Sequence, residues 1–205
     1  MIPRMAWRLF DIIVSLIGLL LFGPIILVCA IATVLDSGLP PFNGTWRLGK
    51  HGKPFRCWKI RTLYRDHAAR LKRHLTGNAD AQKEWQTYAK LIEDPRTTRI
   101  GKSLRRLSLD ELPQLWNILQ GDMAIFGPRP FLIGEGTLLG VWTCDLVSVV
   151  PGTISYYTAH GRSRLTVQQR IRLDAKFARR MRKLKVKWYA LSRTAWHLLK
   201  RTGAY

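Results

Sequence analysis

From Ile12 to Leu35 none of the 24 residues carries a charge, and Asp11 and Asp36 bound the run. As a helix rising ~1.5 Å per residue it extends roughly 36 Å, enough to cross a hydrocarbon core of ~30 Å. The run is therefore a membrane element, and no small-residue cleavage site follows it as in a secretory signal. Gly23 and Pro24 stand at its middle, where proline removes a helical hydrogen bond and crowds the preceding turn, so a kink is expected. Arg4 and Arg8 precede the run, and Arg47, Lys50, Lys53, Arg56, Lys59 and Arg61 follow it, which pulls both ends toward the cytosol. A re-entrant helix bent at Gly23-Pro24 satisfies both flanks; a single kinked span is the alternative.

Beyond a Pro/Gly-rich connector (Gly38 to Gly44), Pro54 to Leu63 reads as a strand, with Gly49 and Gly52 marking a tight hairpin turn before it. Asp66 to Leu75 and Ala79 to Ile92 read as polar helices of a solvated insertion. Asp94-Pro95-Arg96 reads as a loop, because a residue before proline is pushed out of the helical region. Ser108-Leu109-Asp110-Glu111 has the form of a capping box, followed by Leu112, Leu115, Trp116 and Leu119, so a helix is expected from Ser108. Pro113 fits poorly as its fifth residue, and a start or bend at Pro113 is the alternative. From Leu173 to Leu198, apolar residues recur at steps of 4, 4, 3, 4, 3, 4 and 3 on a segment with fourteen Lys/Arg between 162 and 201 against one acid, Asp174. That stripe suits a helix in the lipid headgroup layer with Trp188 and Trp196 near its boundary, or, equally, one packed on the protein core.

The 205 residues leave room for one catalytic domain, residues 41–205, beside the membrane element, residues 1–40. A net charge of +21 draws anionic partners: nucleic acid, anionic membrane lipids or phosphorylated small molecules. No nucleic-acid motif accompanies the charge, so no nucleic-acid partner is expected. Cys29, Cys57 and Cys144 are too widely spaced for a ligand pair and read as reduced, buried thiols.

Asp110 and Glu111 are the candidate chemistry. In a first helical turn acidic residues commonly serve as stabilisers, but the same place suits phosphates. A pair of carboxylates with substrate phosphates also suits Mg2+, and a carboxylate can attack phosphorus. Arg96, Arg99, Arg105 and Arg106 lie upstream, and Arg129 is clamped between Pro128 and Pro130. Guanidinium forks match phosphate oxygens, which makes Arg96, Arg105 and Arg129 candidate phosphate contacts.

Several segments occur in a telling order: Arg8-x-Phe10-Asp11, Gly52-Lys53-Pro54-Phe55, Lys59-Ile60-Arg61-Thr62, Asp94 to Gly101, Ser108 to Asn117, Gly121-Asp122-Met123 and Gly127-Pro128-Arg129-Pro130. In this order, and over nearly the whole chain, the sequence resembles the bacterial sugar transferases, monotopic polyprenyl-phosphate sugar-phosphate transferases. The resemblance implies an α+β, helix-rich fold, with an N-terminal re-entrant membrane helix and a small catalytic domain that has a short sheet and interfacial amphipathic helices. It implies transfer of a sugar 1-phosphate from a UDP-sugar to undecaprenyl phosphate with release of UMP, at the cytoplasmic face of the bacterial inner membrane. In the implied roles Asp110 is the nucleophile, Glu111 its partner at Mg2+, and Arg129 and Arg105 phosphate contacts, with downstream glycosyltransferases extending the product. Where the family reads Arg-Pro-Gly-Ile-Thr-Gly and then Gln, this chain has Val150 to Ser155 and then Thr158, with Pro151, Gly152, Gly161 and Arg162 holding the frame. That departure leaves a second expectation, a catalytically weakened lipid-binding or scaffolding member.

Overall fold

The computed structural model describes residues 4–135, 139–160 and 165–200. Gly161 and Arg162 lie outside them, as does the side chain of Leu198 at the end of the apolar stripe. Helix α1, Arg4–Ser37, carries the apolar run with Pro24 inside it. Its most apolar window has a mean hydropathy of 2.9 and is only 11% buried, so α1 is long and apolar enough to enter or span a membrane and the protein itself covers little of it.

Charged residues fasten both ends of α1 to the same domain. At its start, Arg8 donates to the Ile118 and Leu119 carbonyls at 2.6 Å each, in the last turn of α5 (Gln114–Gln120). At its end, Asp36 accepts from the Ile100 N–H at 3.1 Å, in the first turn of α4 (Arg99–Leu107). A cation thus meets a negative helix end and a carboxylate a positive one, the favourable pairing in each case. Asp11 adds a bond from the Ile125 N–H at 3.0 Å, and Arg61 donates to the Ser37 and Gly38 carbonyls. Ser15 and Gly18 are buried on one side of the helix midpoint, and Cys29, Ala30 and Thr33 on the other. Between them, residues 20–28 have no buried member, and nothing approaches Gly23. Both halves of α1 rest on the domain while the Gly23-Pro24 junction stands clear of it.

The expected hairpin forms from β1 (Phe42–Leu48) and β2 (Pro54–Ile60), antiparallel with Phe42 opposite Ile60 and Leu48 opposite Pro54. A 3-10 turn over Lys50–Gly52 joins them, with His51 and Gly52 at positive φ. β2 ends three residues before the expected Leu63. Helices α2 (His67–Leu75) and α3 (Ala79–Tyr88) form the insertion, whose only buried helical residue is Ala81. α3 stops short of Ile92 because Ala89 turns left-handed (φ 49°) and closes it.

The capping box expected at Ser108 does not form. Ser108 is left-handed (φ 56°) and closes α4, its N–H bonding the Arg105 and Leu104 carbonyls, so it lacks the extended backbone of an N-cap. Leu109–Glu111 make one 3-10 turn, and α5 starts at Gln114 behind Pro113. The alternative start at Pro113 is the observed one, and Asp110 and Glu111 sit in the short 3-10 turn ahead of α5 rather than in its first turn.

Asn117, fully buried on α5, fastens that helix to the hairpin. Its Oδ1 accepts from the Trp58 N–H at 3.0 Å and its Nδ2 donates to the Arg56 carbonyl at 2.7 Å. Phe55, Cys57, Ile118 and Met123 pack beside it.

β3 (Ala124–Phe126) pairs in parallel with β4 (Gly152–Ile154). Gly127 and Gly152 meet backbone to backbone where a Cβ on either would collide, so glycine is required at the crossing. α6 (Thr143–Val147) precedes β4, and α7 (Tyr156–Ala159) follows it. The expected single C-terminal helix is two, α8 (Val167–Arg180) and α9 (Leu184–Leu199), broken across Met181–Lys183. The stripe divides with it. Phe177 is fully buried against Phe126, Val186 and Ala190, while Leu184, Trp188 and Trp196 on α9 are 48%, 62% and 49% exposed. Lys187 binds α9 to the start of α1, its Nζ 3.2 Å from the Trp7 ring centroid. Cys29 and Cys57 are buried as expected; Cys144, on the outer side of α6, is exposed.

Asn117→Ala takes the side-chain partner from a half-buried N–H and carbonyl on β2, an expected loss of about 1–3 kcal/mol. Denaturant unfolding in detergent measures it, and an unchanged midpoint would show that the hairpin is held by packing alone.

Candidate active site

The hairpin, the 109–111 turn, the end of the insertion and the 128–130 and 152–158 segments enclose a cavity of about 610 Å³. Asp110, Glu111, Arg96, Arg105 and Arg129 all line it. Arg99 and Arg106 do not.

Alternation along β2 buries Phe55 and Cys57 and turns Lys59 to the same side. Lys59 Nζ meets Glu111 Oε1 at 2.5 Å. Burial works against the charge of this lysine, yet Glu111 and Asp110 outweigh it and hold its pKa above the ordinary value. Lysine on the inward phase of a strand was the available signal for this residue, which sequence reasoning placed in a motif and among the flanking basic residues but not in the site.

Asp110 is 8% exposed. Burial lifts its carboxyl from the ordinary 3.8 to about 6, with Lys59 and Arg105 pulling down and Glu111 pushing up. Arg105 reaches over from α4, its Nε bonding Thr62 Oγ1 at 2.9 Å and its NH1 lying 3.7 Å from Asp94. Arg96 is more fully committed: its fork binds Asp94 at 2.8 and 2.7 Å, and its guanidinium lies 4.8 Å from the Trp85 ring centroid.

The lone acid of the basic C-terminal stretch has a definite place. Asp174, fully buried on α8, accepts the Arg129 N–H at 2.8 Å on one oxygen and the Tyr157 N–H at 3.0 Å on the other. It ties the proline-clamped arginine to the segment that departs from the family pattern. Burial raises its pKa to about 6 against the pull of those N–H groups and of Ser155. Tyr157, Lys90 and Arg170 are further site residues that the sequence did not single out. Their meeting depends on three segments distant in the chain.

With its buried carboxylate, a second acid and a ring of cations, the cavity is suited to binding a phosphorylated substrate and attacking it. A family model described as bacterial sugar transferase matches residues 2–201. The chain belongs to the bacterial sugar transferase family. This sugar transferase is 36% identical over 176 residues to the exopolysaccharide production protein ExoY of Rhizobium meliloti, covering 86% of this chain and 78% of that one. It is 34% identical over 217 residues to the undecaprenyl-phosphate galactose phosphotransferase of Salmonella typhimurium, and 34% identical over 215 residues to the UDP-galactose-lipid carrier transferase of Erwinia amylovora. Each of the latter two alignments takes in 98% of this chain but only 42% of the relative.

The raised Asp110 pKa has a consequence for the stability of this sugar transferase. Because the folded value, about 6, exceeds the unfolded 3.8, the native protein holds the proton more tightly, and stability falls as pH rises through that window. Asp110→Asn is therefore expected to melt higher than the wild type at about pH 8, by the equivalent of about 1–3 kcal/mol, with the gain shrinking toward about pH 4. Equal melting temperatures at the higher pH would contradict the cost assigned to the buried charge.

Proposed function

We propose that this sugar transferase moves a sugar 1-phosphate from a UDP-sugar to undecaprenyl phosphate, releasing UMP, as the first membrane step of exopolysaccharide or other surface glycan synthesis. The observation that carries the reading is the buried Asp110 carboxylate, flanked by the Lys59–Glu111 pair and Arg105, in a cavity whose domain holds both ends of an apolar helix. Asp110 attacks the sugar-bearing phosphorus and forms a phosphosugar-aspartyl intermediate. Arg105 and Arg129 stabilise the charge on the phosphate oxygens without moving as it develops. Arg96, occupied by Asp94, acts chiefly by holding Asp94 and thereby Arg105.

The residues fit Mg2+. Asp110 and Glu111 are adjacent hard-oxygen donors on the cavity wall. That is the usual arrangement for an ion bound by one or two carboxylates plus substrate phosphates. When bound, it would neutralise charge on the donor phosphates. Lys59, held by Glu111, keeps that carboxylate aligned.

The proposed membrane arrangement rests on α1. A helix of 34 residues is roughly 51 Å long, and the fastening of both its ends to one domain favours a re-entrant path over a crossing. On that path α1 enters and leaves the cytoplasmic leaflet of the inner membrane at Gly23-Pro24. Exposed Leu184, Trp188 and Trp196 on α9 enter the headgroup layer, with its lysines and arginines toward anionic lipids. The lipid-linked product is then available to downstream glycosyltransferases in the same membrane.

Wild-type protein given Mg2+, undecaprenyl phosphate and a panel of UDP-sugars is expected to release UMP with at least one donor. With donor alone, labelled sugar phosphate is expected on the peptide containing Asp110. Asp110→Asn is expected to lose both, turnover falling about a thousandfold or more; near-normal turnover in Asp110→Asn would sink the mechanism.

A further inference from the structure

A second group of charges shares the cavity with Asp110 and, Arg129 apart, has no part in the chemistry described so far. Tyr157 is 8% exposed, and its hydroxyl accepts from Lys90 Nζ at 3.4 Å. The guanidinium carbons of Arg129 and Arg170 each stand 5.7 Å from its ring centroid. Lys90, Tyr157 and Arg129 line the cavity, and Arg170 backs the ring. Among the described residues none of these three cations has a carboxylate oxygen within 4.0 Å, in contrast to Lys59 and Arg96.

The group is built rather than accidental. Left-handed Ala89 turns the chain at the end of α3 and delivers Lys90. Arg170 holds that turn by donating to the Tyr88 carbonyl at 3.1 Å. Asp174, one helical turn further along α8, fixes the backbones of Arg129 and Tyr157. Burial, Arg129 and Arg170 depress the pKa of Lys90, and the same cations hold the Tyr157 phenol below its usual value although burial opposes them. Clustered, poorly solvated cations are costly until an anion joins them. A phosphate monoester dianion offers three oxygens to an ammonium, a guanidinium fork and a phenol hydroxyl.

We propose that Lys90, Tyr157 and Arg129, backed by Arg170, form one phosphate-monoester subsite that is used twice in each cycle, by the nucleotide phosphate as it leaves and by the lipid phosphate as it enters. The inference rests on the function proposed above, and in-line displacement supplies the reason for shared use. In the first step an Asp110 oxygen bonds to the sugar-bearing phosphorus, and the bridging P–O bond breaks with its electron pair going to the nucleoside monophosphate. That group departs on the side away from Asp110. In the second step an oxygen of the polyprenyl phosphate bonds to the same phosphorus, again opposite Asp110, and the P–O bond to Asp110 breaks to restore the carboxylate. Leaving and entering phosphates therefore occupy the same position. Arg129, in electrostatic reach of both Tyr157 and Glu111, connects that position to the acidic pair.

The test is equilibrium binding to the full-length protein in detergent, with UMP, a soluble short-chain prenyl phosphate, inorganic phosphate and uridine as probes. Lys90→Met and the packing-neutral Tyr157→Phe are the variants. Lys90→Met is expected to weaken UMP and prenyl phosphate alike by about tenfold, Tyr157→Phe less, with uridine unchanged. The two phosphates are also expected to compete on the wild type. Affinities for both phosphates within about twofold of wild type in Lys90→Met would overturn the subsite, as would loss for one phosphate alone or simultaneous binding of both. Inorganic phosphate separates this proposal from the donor assignment. Its weakening in Lys90→Met supports the subsite even if no UDP-sugar serves as donor, and its indifference counts against the subsite whatever the donor.

Discussion

Two charged side chains at the ends of one apolar helix govern the arrangement of this protein. Arg8 binds the carbonyl end of α5, and Asp36 binds the N–H end of α4, so each half of α1 is fixed to a helix of the catalytic domain. These are the same two helices between which the 109–111 turn hangs. The apolar helix and Asp110 are thus separated by single helices rather than by a linker. The proposed transfer from a water-soluble donor to a lipid phosphate needs both substrates at one phosphorus, and a short, stiff connection between α1 and Asp110 would meet that need.

Charge balance organises the interior in the same way. The cavity has more cations than carboxylates, and two buried acids are held at a cost: Asp110 on its wall and Asp174 behind Arg129 and Tyr157 both carry pKa values raised to about 6 by burial. Their roles differ. Asp174 spends its two oxygens on backbone N–H groups and is structural, whereas Asp110 opens onto the cavity beside Lys59 and Arg105. A carboxylate destabilised in the folded protein is a better nucleophile than one stabilised by strong bonds, so the cost of burying Asp110 suits the role proposed for it.

Much of this was legible in the chain. The apolar run, the Gly49–Gly52 hairpin and the convergence of Asp110, Glu111, Arg105 and Arg129 on one cavity follow from patterns that are local or motif-bound. What was misread depended on tertiary context. Ser108 matches a capping box in composition, but closing α4 takes its backbone to the left-handed region and removes the N-cap. The C-terminal stripe keeps its period across Met181–Lys183 although the helix does not, since burying Phe177 against Phe126 and burying Val186 and Ala190 require a turn between the two segments. Tyr157, Lys90 and Arg170 carried no signal, because nothing in the spacing of three distant segments predicts that they share one ring.

The position of α1 is the point on which membrane attachment and catalysis both depend. With the native thiols replaced, Met5→Cys and Leu39→Cys place reporters just inside the start and just beyond the end of α1, at sites 84% and 61% exposed. In intact cells a membrane-impermeant thiol reagent should label neither, and after the inner membrane is opened it should label both. Labelling of Met5→Cys from the periplasm, with Leu39→Cys protected, would show a helix that crosses the membrane and would contradict the proposed re-entrant arrangement, in which both its ends are fastened to one domain.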